Sequence, residues 1–262
     1  MRTLTLCLLF TLAAGADDKF TILAERDSLA PRPMVFNLTD RIIPQVVTGG
    51  GWTTTFFLTN LGTVDYKIDL LFYDDDGKPL SVSFPERRLI GPDFVVTLPA
   101  GTSITAELDD APFGPTRQGW AMLADPSAKI SGWVVLRQRV FGRPDFEALV
   151  PLSPISDKQF TLGFDNRSGY STGVAFANPT ASNQPATAQM TFVDSDNRVL
   201  LRDSITLPPS GHIAFSVPDK YPATAGKFGL LRVFTEASRF SAMGLRFNPG
   251  GAFTSVHTLS TQ

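Results

Sequence analysis

The sequence predicts an all-β protein built from two tandem antiparallel β-sandwich domains, and three observations predict it. Apolar segments are short, rich in Val, Phe, Thr and Ile, and bounded by Gly, Pro, Asn and Asp. One order of segments occurs twice. No window after the first residues sustains a helical period. The 262 residues include 21 Gly, 20 Pro and 21 Phe, and only 18% are charged. That mixture suits many strands and turns.

The repeat opens on Gly49-Gly50-Gly51-Trp52-Thr53-Thr54-Thr55-Phe56-Phe57-Leu58-Thr59-Asn60. Its second copy is Gly169-Tyr170-Ser171-Thr172-Gly173-Val174-Ala175-Phe176-Ala177-Asn178. Asp74-Asp75-Asp76-Gly77 answers to Asp194-Ser195-Asp196-Asn197. Leu98-Pro99 answers to Leu207-Pro208, Gly119-Trp120 to Gly229-Leu230, and Ile130–Trp133 to Phe240–Met243. Order is preserved throughout. A period of roughly a hundred residues fits whole domains in tandem, not solenoid repeats.

In chain order, Met1-Arg2, the apolar run Leu4–Ala14 and the small residues Ala14-Gly15-Ala16 read as a secretory leader, residues 1–16. The run is too short to span a bilayer as a helix, and no later stretch qualifies. The single cysteine, Cys7, falls inside the leader. Residues 17–41 form an extension outside the repeat. Alternating Met34, Phe36 and Leu38 predict a strand there, which pairs with an edge of its own domain or with a neighbouring molecule.

The first module, residues 42–153, is expected to hold strands at Ile43–Val47, Trp52–Asn60, Tyr66–Tyr73, Lys78–Phe84, Phe94–Leu98, Ser103–Leu108, Gly119–Ala124, Ile130–Phe141 and Phe146–Leu152. Ser153–Lys158 reads as a short linker that lets the modules touch. The second module, residues 158–262, repeats most of this at Phe160–Phe164, Tyr170–Asn178, Ala186–Val193, Val199–Leu207, Gly211–Val217, Phe228–Thr235, Phe240–Phe247 and Phe253–Leu259. Asp109–Phe113 and Asp219–Tyr221 have room for one helical turn each. Roughly seven to nine strands per module argue for an immunoglobulin-like sandwich in the broad sense.

Comparing the copies sorts roles. Gly77 and Asn197 are equivalent, and both tolerate positive φ, so the Asp-x-Asp segments read as hairpin turns and not as a metal loop. No metal or cofactor is expected. Trp120 and Trp133 are matched by Leu230 and Met243, which predicts core positions. Trp52 is matched by Tyr170, so an aromatic with a polar handle stands at each strand start. These two are the candidate ligand platforms, although a ring there also caps a core. Tyr66 and Tyr221 are secondary candidates. An insertion around Ser81–Val95 and a longer late hairpin distinguish the first copy. That hairpin carries Arg137, Arg139 and Arg143, a candidate basic patch for an acidic polysaccharide or a partner.

Tests for chemistry give little. Gly169-Tyr170-Ser171-Thr172-Gly173 matches G-x-S-x-G, yet it opens a strand where a nucleophile elbow needs a following helix. The two histidines, His212 and His257, correspond to Ser103 and Val150, so neither is shared. No catalytic residue is assigned. A hydrolase using Ser171 and His257 is the remote alternative. A net charge of −2 argues against a phosphate-tracking nucleic-acid binder.

The pattern Ile43-Pro44-Gln45, Gly49-Gly50-Gly51-Trp52-Thr53-Thr54, Leu58-Thr59-Asn60 resembles the start of an uncharacterised β-sandwich repeat of secreted bacterial proteins. The resemblance covers both repeats but not residues 17–41, and Tyr170 departs from it. It implies an extracellular, non-catalytic module. The expectation is therefore an exported structural or interaction protein of the cell surface or periplasm, in adhesion or assembly. Its partner would be a protein or an extracellular polysaccharide, with self-assembly through the N-terminal strand as a further possibility. A carbohydrate-binding protein using exposed aromatics is the alternative.

Overall fold

Turn residues cut the chain into short strands, and the alternation within each strand decides which sheet face is buried. A computed structural model describes residues 22–24 as backbone, and residues 40–124, 129–154, 158–179, 184–236 and 240–260. The leader and the alternation at Met34, Phe36 and Leu38 lie outside the described residues.

The first half contains β1 (Ile22–Ala24), β2 (Arg41–Thr48), β3 (Trp52–Asn60), β4 (Tyr66–Tyr73), β5 (Val82–Phe84), β6 (Leu89–Gly91), β7 (Asp93–Leu98), β8 (Ser103–Glu107), β9 (Arg117–Ala124), β10 (Ile130–Gln138), β11 (Phe146–Pro151) and β12 (Ser153–Pro154). The second contains β13 (Gln159–Asp165), β14 (Ser171–Ala177), β15 (Ala186–Asp194), β16 (Val199–Leu207), β17 (His212–Ser216), α1 (Val217–Lys220), β18 (Phe228–Thr235), β19 (Ser241–Phe247), β20 (Phe253–Val256) and β21 (Thr258–Ser260). The protein is all-β, and its sheets are antiparallel.

Sheet I, in the order β1-β7-β4-β9-β2-β12, lies over sheet II, β11-β10-β3-β8. Sheet III, β16-β15-β18-β13-β21, lies over sheet IV, β17-β14-β19-β20. Leaving β1 aside, the strand orders of the two halves correspond one to one. The first core gathers Phe56, Leu58, Leu70, Phe72, Phe94 and Val134 from both of its sheets. The second gathers Phe160, Leu162, Val174, Phe176, Phe192 and Leu231. Each set follows the two-residue period of a half-buried strand.

Local chemistry recurs with the topology. Thr54 Oγ1 accepts from the Val47 amide at 3.0 Å and donates to the Val47 carbonyl at 2.9 Å. Thr172 does the same with Asp165, at 2.9 and 3.3 Å. Buried Asn60 donates to Leu98 O at 2.9 Å, and buried Asn178 donates to Pro208 O at 2.8 Å. Each Asn thus ties a strand end to a Leu-Pro turn. The Asp-x-Asp segments are turns. Asp74 Oδ1 accepts from the amides of Asp76 and Lys78, and Asp194 Oδ1 accepts from those of Asp196 and Arg198. Gly77 and Asn197 have φ of 79° and 64°. Gly49, Gly50 and Gly51 all have positive φ, and a Cβ on Gly49 would sit 2.4 Å from Pro115 O. Only glycine fits this crossover from sheet I to sheet II.

Several expectations change. The strand predicted at Lys78–Phe84 begins at Val82, and the one at Ile130–Phe141 ends at Gln138. The strand predicted at Phe253–Leu259 breaks at His257. Its first piece pairs with β19 and its second crosses to pair with β13. The first half does likewise: Ser153-Pro154, expected in a linker, pairs with β2. A strand that switches sheets must break its ladder at the corner, which alternation alone does not reveal. The helical turn near Asp219 is present as Val217–Lys220, whereas Asp109–Phe113 forms turns. In the extension, Ile22–Ala24 pairs with β7 of its own chain. The insertion turns inward: Val82 and Phe84 are fully buried, and Phe84 meets Phe56, Phe72 and Phe94 edge to face.

The two halves are packed on each other. Ile42, Trp120 and Met122, on the outer face of sheet I, share an apolar cluster with Ala177 of sheet IV. Ala175 and Met243 of sheet IV join the first half's core. The small side chains of β14 let β2 approach closely. Polar bonds complete the joint. Trp120 Nε1 donates to Ser210 O at 2.6 Å. The His212 amide donates to Asp75 O at 3.1 Å, and His212 Nδ1 lies 2.7 Å from Asp75 Oδ1.

Candidate functional site

The joint between the halves leaves a cleft of about 330 Å³. Trp52, Val47 and Leu136 line it from the first half, and Ala175, Met243 and Phe247 from the second. Trp52 stands at the start of β3, where the glycine turn releases the chain into sheet II. Its ring stacks on Phe253 of the second half, with centroids 5.2 Å apart and planes 23° apart. Phe253 also meets Phe146 and Phe247. Trp52 therefore lies half-buried at the joint. The cleft wall is mostly apolar. Its buried polar feature is Gln45, whose Oε1 has no hydrogen-bond partner.

The three arginines are near Trp52 along the sheet, because Gln138 pairs with Trp52 and Arg137 with Thr53. Each engages a partner within the chain. Arg137 Nη2 is 2.6 Å from Glu107 Oε1, and Thr55 donates to the same carboxylate at 2.8 Å. Arg139 pairs with Asp110. Arg143 lies 4.6 Å over the Phe146 ring and donates to Gly250 O at 3.0 Å. Arg137 and Arg139 are thus matched by carboxylates from other segments, and Arg143 by a ring and a backbone carbonyl. Part-exposed pairs of this kind contribute little stability.

Tyr170 stands apart from that group. The Arg246 guanidinium covers its ring at 3.7 Å. Arg246 and Arg167 both bond Asp165, whose carboxyl is held well below the usual range, chiefly by the Arg167 hydrogen bond. Tyr221 is buried, and its hydroxyl donates to Asp203 at 2.8 Å. Burial first, then the Asp203 carboxylate, pushes its pKa up. Tyr66 is half-buried against the first core.

Trp133 is a correction. Its match to Met243 predicts a core position, and Trp120 does lie at 0% exposure, but Trp133 is 39% exposed. It stacks on Phe57 with centroids 5.4 Å apart and planes 14° apart, on the outer face of sheet II. Arg87, Thr59, Ser103 and Thr105 border a groove beside this pair. The equivalent outer face of sheet IV is covered by the first half, so Met243 is buried and Trp133 is not. Alternation with the inward Phe56 and Val134 places Trp133 on the outer face, but nothing in the strand shows which outer face is covered.

The reactive groups are dispersed. Ser171 pairs with Phe247, while Val256, beside His257, pairs with Gly244 on the far side of β19. Strand geometry separates Ser171 from His257 by roughly 10 Å both across and along the sheet. His212 does meet a carboxylate, but its side chain is wholly buried at the joint. Burial pushes the Asp75 pKa up, and bonds from His212 and Gln118 outweigh it, so the net shift is downward. The ionised carboxylate can only accept, so Nδ1 donates. The other ring nitrogen of His212 is buried without a partner. Among the described residues, no three His, Cys, Asp or Glu side chains cluster to hold a metal. No helix among them is long and apolar enough to cross a membrane. Compared with known proteins, the chain matches no family model and no curated protein.

Proposed function

We propose that this chain is an exported, non-catalytic structural or interaction protein of the cell surface or periplasm, built from two immunoglobulin-like sandwich modules. One observation carries the reading. The halves pack face to face, and exposed apolar side chains remain on the outward sheet faces, at Trp133 and Leu149 on one and Phe228, Leu230 and Phe234 on another. Such faces mark contact surfaces. The dispersal of Ser171 and His257 supports a role without turnover. The stacking of Trp52 on Phe253 across the joint supports a structural role for that ring.

The test is fractionation of cells expressing the full chain, with the N-terminus read by mass spectrometry. The reading expects a chain beginning at Asp17 in the envelope or medium. A cytoplasmic chain retaining its leader overturns it. Trp52→Ala separates the carbohydrate alternative. The structural reading expects a clear fall in thermal midpoint. A lost polysaccharide retention with an unchanged midpoint favours the alternative.

A further inference from the structure

The joint between the halves uses one outer face from each. Trp120, Ile42 and Met122 supply large side chains from sheet I, and Ala175, Ala177 and Met243 supply mostly small ones from sheet IV. Among the described residues, nothing covers the topological equivalents of these two faces. Register fixes the correspondence. Trp120 lies opposite Tyr73 as Leu230 lies opposite Val193. Ile42 lies opposite Met122 as Thr161 lies opposite Arg232. Phe57 lies opposite Trp133 as Ala175 lies opposite Met243. The open partner of sheet I is therefore sheet III, and the open partner of sheet IV is sheet II.

We propose that sheet III of one molecule docks on sheet II of a second copy, so that the chain associates head to tail. This rests on the interaction reading above and names its partner. Three features on the two faces support a second copy. Six of the twelve exposed large apolar residues among those described lie there: Phe228, Leu230, Phe234 and Leu259 on sheet III, Trp133 and Leu149 on sheet II. Side-chain sizes are exchanged relative to the internal joint. Leu230 and Thr161 are smaller than Trp120 and Ile42, while Phe57 and Trp133 are larger than Ala175 and Met243, so the sum across the contact is similar. Charge differs between the faces, although Arg87 beside Trp133 and the Arg137–Glu107 pair offset part of the acidity of sheet II. Arg202 and Arg232 flank Thr191 on sheet III, whereas Glu107 and Glu147 flank Arg137 on sheet II. A symmetric contact of sheet III with itself would bring like charges together. The β11 and β20 edges already adjoin inside the molecule, with Phe146 against Phe253, so the second contact uses faces alone. A face-to-back contact of this kind is heterologous, so repeated copies build a ring or an open chain according to the rotation between them.

The test is sedimentation velocity of the purified chain across a concentration series, with Trp133→Lys and Leu230→Lys. Both residues are exposed, and an unchanged near-ultraviolet spectrum certifies folding. The expected result is a wild-type mass that rises with concentration. Each variant alone shows association weakened by about thirtyfold or more, as for a central contact. An equimolar mixture recovers a dimer, because one intact copy of each face remains. A wild-type monomer at all concentrations overturns the proposal. So does a Trp133→Lys chain that still dimerises, which would show a symmetric contact through sheet III. A monomer whose polysaccharide retention depends on Trp133 also overturns it, assigning that face to a glycan. None of these results alters the N-terminal processing that tests the parent reading.

Discussion

Replacing Trp120 by alanine probes the joint between the halves. The ring is fully buried, stacks on Tyr73 at 4.9 Å and packs with Ile42, Met122 and Ala177. Removing a buried Trp costs about 3–5 kcal/mol, from lost transfer energy and the residual cavity. The Ser210 carbonyl also loses its donor, which places the cost toward the top of that range. Trp120→Phe keeps most of the packing and isolates the lost hydrogen bond, about 1–3 kcal/mol. Leu230→Ala is the control, since Leu230 occupies the same place in the second half but is 38% exposed. It should cost under about 1 kcal/mol. For a chain of this size, a loss near 4 kcal/mol lowers the thermal midpoint by roughly 8–16 °C. Urea melts followed by near-ultraviolet dichroism, at low protein concentration, provide the comparison. Equal effects at Trp120 and Leu230 would show that the cover over Trp120 contributes nothing, because the two sites differ chiefly in being covered.

Gly77 tests the same joint through the backbone. A Cβ there would lie 2.0 Å from Pro209 O, so Gly77→Ala should destabilise the chain by more than Asn197→Ala at the matching turn, measured by urea midpoint. Asp75 sets an acid limit. Its pKa is depressed below the ordinary 3.8, so its contribution is complete above that value and is lost as pH falls through the folded-state pKa. Stability measured from pH 6 downward should fall more steeply below about pH 4 in the native chain than in Asp75→Asn. Thr54→Val should cost about 1–3 kcal/mol by leaving its Val47 partners without the hydroxyl, and Thr54→Ser should restore most of it.

What was legible in the sequence was local. Asp74 through Gly77 and Asp194 through Asn197 spell turns because the bonds that make them run between near neighbours. Trp52–Asn60 and Tyr66–Tyr73 show strand boundaries because turn residues flank them. Trp120 and Trp133 show the limit. Both are tryptophans matched by apolar residues, yet one is buried and one is exposed. The difference is made by what covers each sheet, a tertiary fact with no local code. The insertion near Ser81–Val95 shows in the sequence only as extra length, whereas Val82 and Phe84 close the first core. His212 and Asp75 are 137 residues apart, and only the mismatch of His212 with Ser103 hinted at a role outside the repeat. The basic hairpin reads as a patch because its carboxylate partners Glu107 and Asp110 lie on distant segments.

The joint at Trp120 and His212 is expected to hold the two halves in one fixed arrangement. Cys7 is the chain's one cysteine, so a chain starting at Asp17 offers no native thiol. Spin labels at Thr63→Cys and Ala225→Cys, both exposed and in opposite halves, report the distance between halves by pulsed electron resonance. A single narrow distance distribution is expected, and it broadens when Trp120→Ala is added. A broad or multiple distribution in the otherwise native chain would contradict it.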